Sequence, residues 1–145
     1  MEYSVIFEQF KDKITDYDLP QFEAEMQNDI LCNIQRKACA KFKRICKSDL
    51  SDRDDELMQF NVELSEEEID ILTEWMVNIW LTPLLNNMDN MRNKLSTKDF
   101  SMFSPANLLS TMQNVHTTSR KRAKSMMNEY SYVNNDFDKL KAWLK

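Results

Sequence analysis

LSEEEIDILTEWMVNIWLTPLL, residues 64–85, decides the fold. Ser65 stands three residues before Glu68. At that spacing the serine hydroxyl accepts from the Glu68 N–H while the carboxylate returns to the Ser65 N–H, a capping box. Leu64 and Ile69 are placed for the hydrophobic staple across the same helix start. Ile69, Leu72, Met76, Ile79, Trp80 and Leu84 then recur on one face, with Trp75 beside them. Pro83 either kinks this helix or falls in its last regular turn. The following NNMDNMRNKL continues it for a further turn or two.

Working backward, SDLSDRDDELMQFNVELSEEEID is acidic, with Arg53 its one basic residue between Asp49 and Asp70. Before it, Arg36, Lys37, Lys41, Lys43, Arg44 and Lys47 share one arc of a helix expected over about 20–46. Phe22, Met26, Ile30, Ile34, Ala38, Phe42 and Ile45 form its apolar stripe, with Leu31 beside it. Pro20 suits its first turn. The basic end is the C-terminal end, where cations favour the helix dipole. The acidic segment either neutralises this basic face within the chain or leaves both for partners. A first helix is expected over 3–14, with Val5, Ile6, Phe10 and Ile14 inward.

Working forward, Ser104 caps and Pro105 opens a last long helix. Its seam is Leu109, Met112, His116, Ser119, Ala123, Met126 and Tyr130. Arg120, Lys121, Arg122 and Lys124 make a second basic cluster. Residues 131–145 read as a short tail after a 1–130 helical domain. The expectation is an all-α fold, an elongated bundle of about four helices with a C-terminal tail.

Composition narrows function further. The chain has 145 residues, a net charge of -5, 42% hydrophobic and 30% charged residues, as suits one folded domain. Glycine is absent, which excludes glycine-dependent phosphate loops and argues against tight two-residue hairpins. Asn86, Asn87, Asn134 and Asn135 are the substitutes expected where helices end. Cys32, Cys39 and Cys46 are spaced by ~10 Å steps along a helix, too far for a disulfide or a shared metal. They read as a reduced stripe at the core edge. His116 has no catalytic partner at a recognisable spacing and reads as a packing residue. No catalytic, metal or cofactor pattern is present, and no apolar run approaches the ~20 residues of a membrane span. Two basic clusters keep a small helical DNA-binding regulator as the alternative, although no aromatic residues interleave with them.

The order of segments carries a resemblance. YSVIFEQFKDKITDYD is followed by RKACAKFKRICKSDLSDRDDELMQFNVELSEEEIDIL, then EWMVNIWLTPLLNNMDNMRNKL, STKDFSMFSPANLL, a basic helix and YSY. Over roughly residues 3–133 this resembles head–tail connector proteins of the adaptor type from tailed bacteriophages. DLSDRDDELMQFNVELSEEEIDIL and KDFSMFSPANLL are the most telling pieces. The resemblance implies a non-enzymatic virion protein of the neck, assembled in the host cytoplasm, without cofactor, metal or membrane contact. It implies a homo-oligomeric ring, usually of twelve copies, below the portal protein. The ring extends the channel for genomic DNA and docks the stopper or tail proteins. By position, the tail becomes the portal anchor through Phe137, Leu140, Trp143 and Leu144. Arg36, Lys37, Lys41, Lys43, Arg44 and Lys47 become an inter-subunit basic face. Asp49, Asp52, Asp54, Asp55 and Glu56 become its acidic counterpart on the next copy or a repulsive lining of the lumen, where DNA must slide.

Overall fold

A computed structural model describes residues 1–17, 19, 28–94 and 106–134, with side chains to 87 on the third helix and from 109 on the fourth. Four helices and one hairpin make up the described chain: α1 (Tyr3–Asp16), α2 (Asn28–Phe42), β1 (Arg53–Asp54), β2 (Gln59–Phe60), α3 (Glu66–Lys94) and α4 (Ala106–Asn134). The fold is all-α. α3 and α4 have 29 residues each, or ~43 Å at 1.5 Å per residue.

α3 is the axle. Every residue from 71 to 78 is buried, so this helix has no solvent face over two turns, and α1, α2 and α4 pack around it. A helix covered on all sides draws its stability from packing and not from propensity. Its start is the expected one. Ser65 N donates to Glu68 Oε2 at 2.9 Å, and Glu68 N donates to Ser65 Oγ at 3.2 Å. Leu64 and Ile69 are both buried against the core. The helix runs to Lys94, so Asn86 and Asn87 lie inside it and do not end it. Pro83 is exposed, so its ring lies on the side of the helix away from the core. Nearby, Thr82 Oγ1 donates to Asn78 O at 2.9 Å.

Around α3, aromatic contacts lock the other helices. Phe10 of α1 meets Trp80 edge-on at 6.1 Å, and Phe42 of α2 meets Tyr130 of α4 at 5.3 Å. On α1 the inward residues are Tyr3, Ile6, Phe7, Phe10 and Ile14, while Val5 points outward at 48% exposure. The expected α4 seam is in place. Leu109, Met112, Ser119, Ala123 and Tyr130 are buried, with His116 and Met126 half-buried.

α2 differs from expectation at its end. The helix stops at Phe42, not Cys46. The N–H groups of Ile45 and Cys46 both bond Phe42 O, at 3.0 and 3.1 Å, closing the last turn. Tertiary partners take the next donors. Tyr130 Oη accepts from Lys47 N at 2.8 Å, and Glu68 Oε1 accepts from Ser48 N at 3.4 Å. The expected helical start near Pro20, with Phe22 and Met26, lies outside the described residues, as do Ser104, Pro105 and Asn135. Asn134, the other expected helix-ending asparagine, is the last described residue of α4, its Nδ2 on Tyr130 O at 2.9 Å.

The hairpin is the element that sequence reading missed. A four-residue connection, 55–58, joins Asp54 to Gln59. Without glycine, Met58 takes the left-handed position at φ 53°. Asp54 Oδ1 accepts from the N–H groups of Glu56 and Leu57, both at 3.0 Å, and holds the turn. The chain start completes the ribbon. Glu2 bridges Gln59, Tyr3 N donates to Met58 O at 2.9 Å, and Phe60 N donates to Met1 O at 2.8 Å.

One corner ties the elements together. The Glu68 carboxylate, 4% exposed, accepts from Tyr130 Oη at 2.7 Å, Ser48 Oγ at 2.9 Å and Cys46 Sγ at 3.4 Å, besides its own cap. Burial works to raise its pKa, but the bonds from Ser65 N–H, Tyr130, Ser48 and Cys46 outweigh burial and hold it below 4.5. Because the folded pKa is depressed, the unfolded chain binds more protons in acid. This contribution to stability is present above the unfolded value and fades as pH falls through the folded one. In urea titrations, Glu68→Gln is expected to lower stability at neutral pH and to flatten the acid-side decline. Tyr130→Phe strands the Lys47 N–H and should cost about 1–3 kcal/mol.

Candidate functional site

The charged residues divide into three groups. The first is a buried node on α3. Glu74 is fully buried. Its carboxylate accepts from Lys13 Nζ at 3.0 Å and Tyr17 Oη at 2.8 Å, with Arg122 Nε at 4.0 Å. Lys13 also pairs with Asp70 Oδ1 at 2.6 Å. Burial and the Glu74 bond push the Tyr17 phenol up to about 12, so it stays a donor. The charge of Glu74 raises the Arg122 pKa above its ordinary value. These groups line a cleft of about 140 Å³ with Asp16. Each Glu74 carboxylate oxygen accepts from a cation or a hydroxyl, Oε2 from Lys13 and Oε1 from Tyr17, an arrangement that clamps α1 onto α3, with Arg122 of α4 close by.

The second group is the basic arc of α2, which the structure splits. Arg36 Nη2 pairs with Asp55 Oδ2 of the hairpin at 3.1 Å, both groups about half-exposed. Internal neutralisation is realised at this one pair. Lys37 and Lys41 instead border a groove, and Lys41 Nζ stands 5.3 Å over the Trp75 ring. Lys43, Arg44 and Lys47 are exposed in the turn beyond α2 and make no ion pair with any described residue. The six residues therefore occupy two flanks of α2 and its C-terminal turn, not one continuous helical arc. On α4, Arg120, Lys121 and Lys124 are exposed, whereas Arg122 leans toward Glu74 and Tyr17.

The third group is the acidic segment, whose carboxylates mostly hold the segment and its neighbours in place. Asp49 Oδ1 accepts from Ser51 N at 2.9 Å, and Asp52 Oδ1 accepts from Asn61 Nδ2 at 2.8 Å. Asp54 fixes the hairpin turn. Asp55 takes Tyr3 Oη at 2.7 Å and lies 3.5 Å from Arg53 Nε. The Tyr3 bond and then the two arginines lower its pKa, against the opposing effect of burial. Glu56 is exposed at the tip, beside Leu57 at 67% exposure. The tail residues Phe137, Leu140, Trp143 and Leu144 lie outside the described residues.

A groove of about 670 Å³ lies between α2 and the middle of α3. Ile30, Ile34, Ile79, Trp80, Pro83 and Leu84 give it an apolar lining, and Lys37 and Lys41 are its charged side chains. Ile30 was expected in the stripe and is 47% exposed into this groove, while Leu31 fills the core place. His116 lies nearby on α4. Its Nε2 is 3.0 Å from Thr82 Oγ1, and burial, then Arg120, depresses its pKa, leaving the ring neutral at pH 7. Among the described residues no three His, Cys, Asp or Glu side chains converge as a metal site requires. No described helix is long and apolar enough to cross a membrane.

The chain matches no protein-family model, no curated protein and no solved structure.

Two contrasts test these assignments. Lys13→Met leaves a fully buried carboxylate short of its cation and should cost about 3 kcal/mol or more in urea unfolding. Arg36→Met breaks an exposed pair and should cost less than about 1 kcal/mol, shrinking further in high salt. The three free thiols give a second contrast. Burial pushes Cys39 to about 11, and burial with Glu68 pushes Cys46 to about 12. Cys32 is also raised but is partly accessible. A thiol reagent on the native protein should label Cys32 first and Cys39 last, followed by peptide mass spectrometry.

Proposed function

We propose that this chain is a structural, non-enzymatic head–tail connector of the adaptor type, forming a ring below the portal in a phage neck. The observation that carries the reading is the separation of its exposed charges. Lysines on α2 and in the turn after it that pair with no described carboxylate, and an acidic hairpin on the other side of α2, leave one molecule with two complementary faces. Faces of that kind on one chain suit a head-to-tail contact, which closes rings when the rotation permits. The buried ionic clamps support the same reading, because a scaffold that bears load between assemblies needs helices that cannot slide. The sequence resemblance over residues 3–133 supplies the specific partners: a portal above, stopper or tail proteins below, and genomic DNA passing without sequence-specific contact. In this reading the ring has twelve copies and the protein resides in the virion neck. Phe137, Leu140, Trp143 and Leu144 anchor the tail to the portal.

The alternative, a small helical DNA-binding regulator, draws on Lys43, Arg44, Lys47, Arg120, Lys121 and Lys124, all exposed. Such a protein would bind duplex DNA with an affinity that falls steeply with salt. The connector would show little affinity at any physiological salt.

Co-expression with the portal protein of the same genome, imaged by negative-stain electron microscopy, separates the two. The connector reading expects a portal ring with an added collar of matching symmetry, and loss of that collar in Trp143→Ala. A bare portal beside free protein that shifts DNA at low salt would replace it with the regulator.

A further inference from the structure

Resting on the ring reading, we propose that the hairpin tip of one copy docks in the α2–α3 groove of the next, Leu57 entering the apolar floor and Glu56 meeting Lys37 and Lys41.

The two surfaces match in kind. The tip presents a single large apolar side chain, Leu57, at 67% exposure, in the run Asp54–Asp55–Glu56. An isolated exposed leucine needs no explanation by itself. Here it sits on a turn held by two backbone bonds to Asp54 and by a left-handed Met58. A tip fixed in this way loses little freedom when it binds. The groove presents the inverse. Its lining is largely apolar, with Asn33, Asn78, Thr82 and Asn86 its neutral polar residues; it contains no described carboxylate, and its two charges are lysines. Neither lysine pairs with a carboxylate among the described residues, and Glu56 pairs with no described cation. One acid on the tip thus complements two lysines at the rim.

Geometry makes the contact intermolecular. The tip is held to one flank of α2 by Arg36, which bonds Asp55 at 3.1 Å. The groove opens on the other flank, at Lys37 and Lys41. Arg36 and Lys41 are five residues apart, about 140° around the helix. A tip tethered at Arg36 cannot cross its own helix to reach that groove. Tip and groove are different patches of one chain, so their pairing is head-to-tail and repeats from copy to copy. Other occupants of the groove, such as an acidic amphipathic helix from another protein, would leave the tip free.

The test places the photo-crosslinking residue p-benzoylphenylalanine at position 57 of the full-length chain. The tip is exposed, so folding should be unaffected, and circular dichroism checks this. Irradiation is done on the free protein at millimolar concentration and on the portal-bound particle. The expected product is a covalent dimer whose cross-link maps to residues 30–41 or 79–86 of a second copy. Lys37→Glu combined with Lys41→Glu should cut its yield several-fold, and adding Glu56→Lys should restore much of it. Cross-links that map elsewhere, an unchanged yield after charge reversal, or no dimer in either sample would overturn the proposal. A groove cross-link in free protein beside a bare portal would keep the docking and remove the connector reading. A collar whose cross-links map away from the groove would do the reverse.

Discussion

The Glu68 carboxylate is the point on which the structure turns. It begins as half of a local capping box and ends as the acceptor for three groups from two other segments: Tyr130 of α4, and Ser48 and Cys46 from the turn after α2. A buried carboxylate is tolerable only when its lone pairs are filled. That requirement sets the path of the chain after α2: the N–H groups of Ile45 and Cys46 still close on Phe42 O, but those of Lys47 and Ser48 are claimed by Tyr130 and Glu68. It also sets where α4 lies along α3. Glu74 repeats the arrangement about two turns further along, binding α1 through Lys13 and Tyr17. Two acids on one buried helix thus index the other three helices.

Much of this was legible in the sequence wherever the signal was local. The capping box and staple at Leu64–Ile69 needed only spacings of three and five residues, and the helix followed. The seam of α4 was visible as a three-four repeat. What escaped depended on distant partners. Glu74 reads as an exposed acid in an amphipathic helix until Lys13 and Tyr17, 61 and 57 residues away, are brought beside it. The hairpin escaped for a related reason. Its strands have two residues each, too short for an alternating pattern, and the missing glycine argued only against tight two-residue turns, whereas this connection has four residues with Met58 in the left-handed position. Val5 and Ile30 were placed inward by periodicity alone, but Tyr3, Phe7 and Leu31 filled those places.

The basic stretch of α2 shows how charge patterning and chain geometry differ. Six cations in thirteen residues look like one surface on a helical wheel. Ending the helix at Phe42 removes Lys43, Arg44 and Lys47 from that wheel. The packing of the hairpin against one flank and α3 against the other then separates Arg36 from Lys37 and Lys41. Net charge says little about such a molecule, since its fields act locally and in opposite directions.

The separation between Glu68 and Tyr130, 62 residues along the chain, has a consequence for biogenesis. At a synthesis rate of ~5–20 residues per second, Tyr130 is made roughly 3–12 s after Glu68. During that interval α3 can take its cap and collect α1 and α2, but its carboxylate lacks the phenol and its α4 face is bare. The nascent chain therefore passes through a stage with an exposed apolar stripe and an acid whose phenol partner is replaced by water. The last long helix completes the core and the hydrogen bonding in one step, so the domain matures only once most of it has been made.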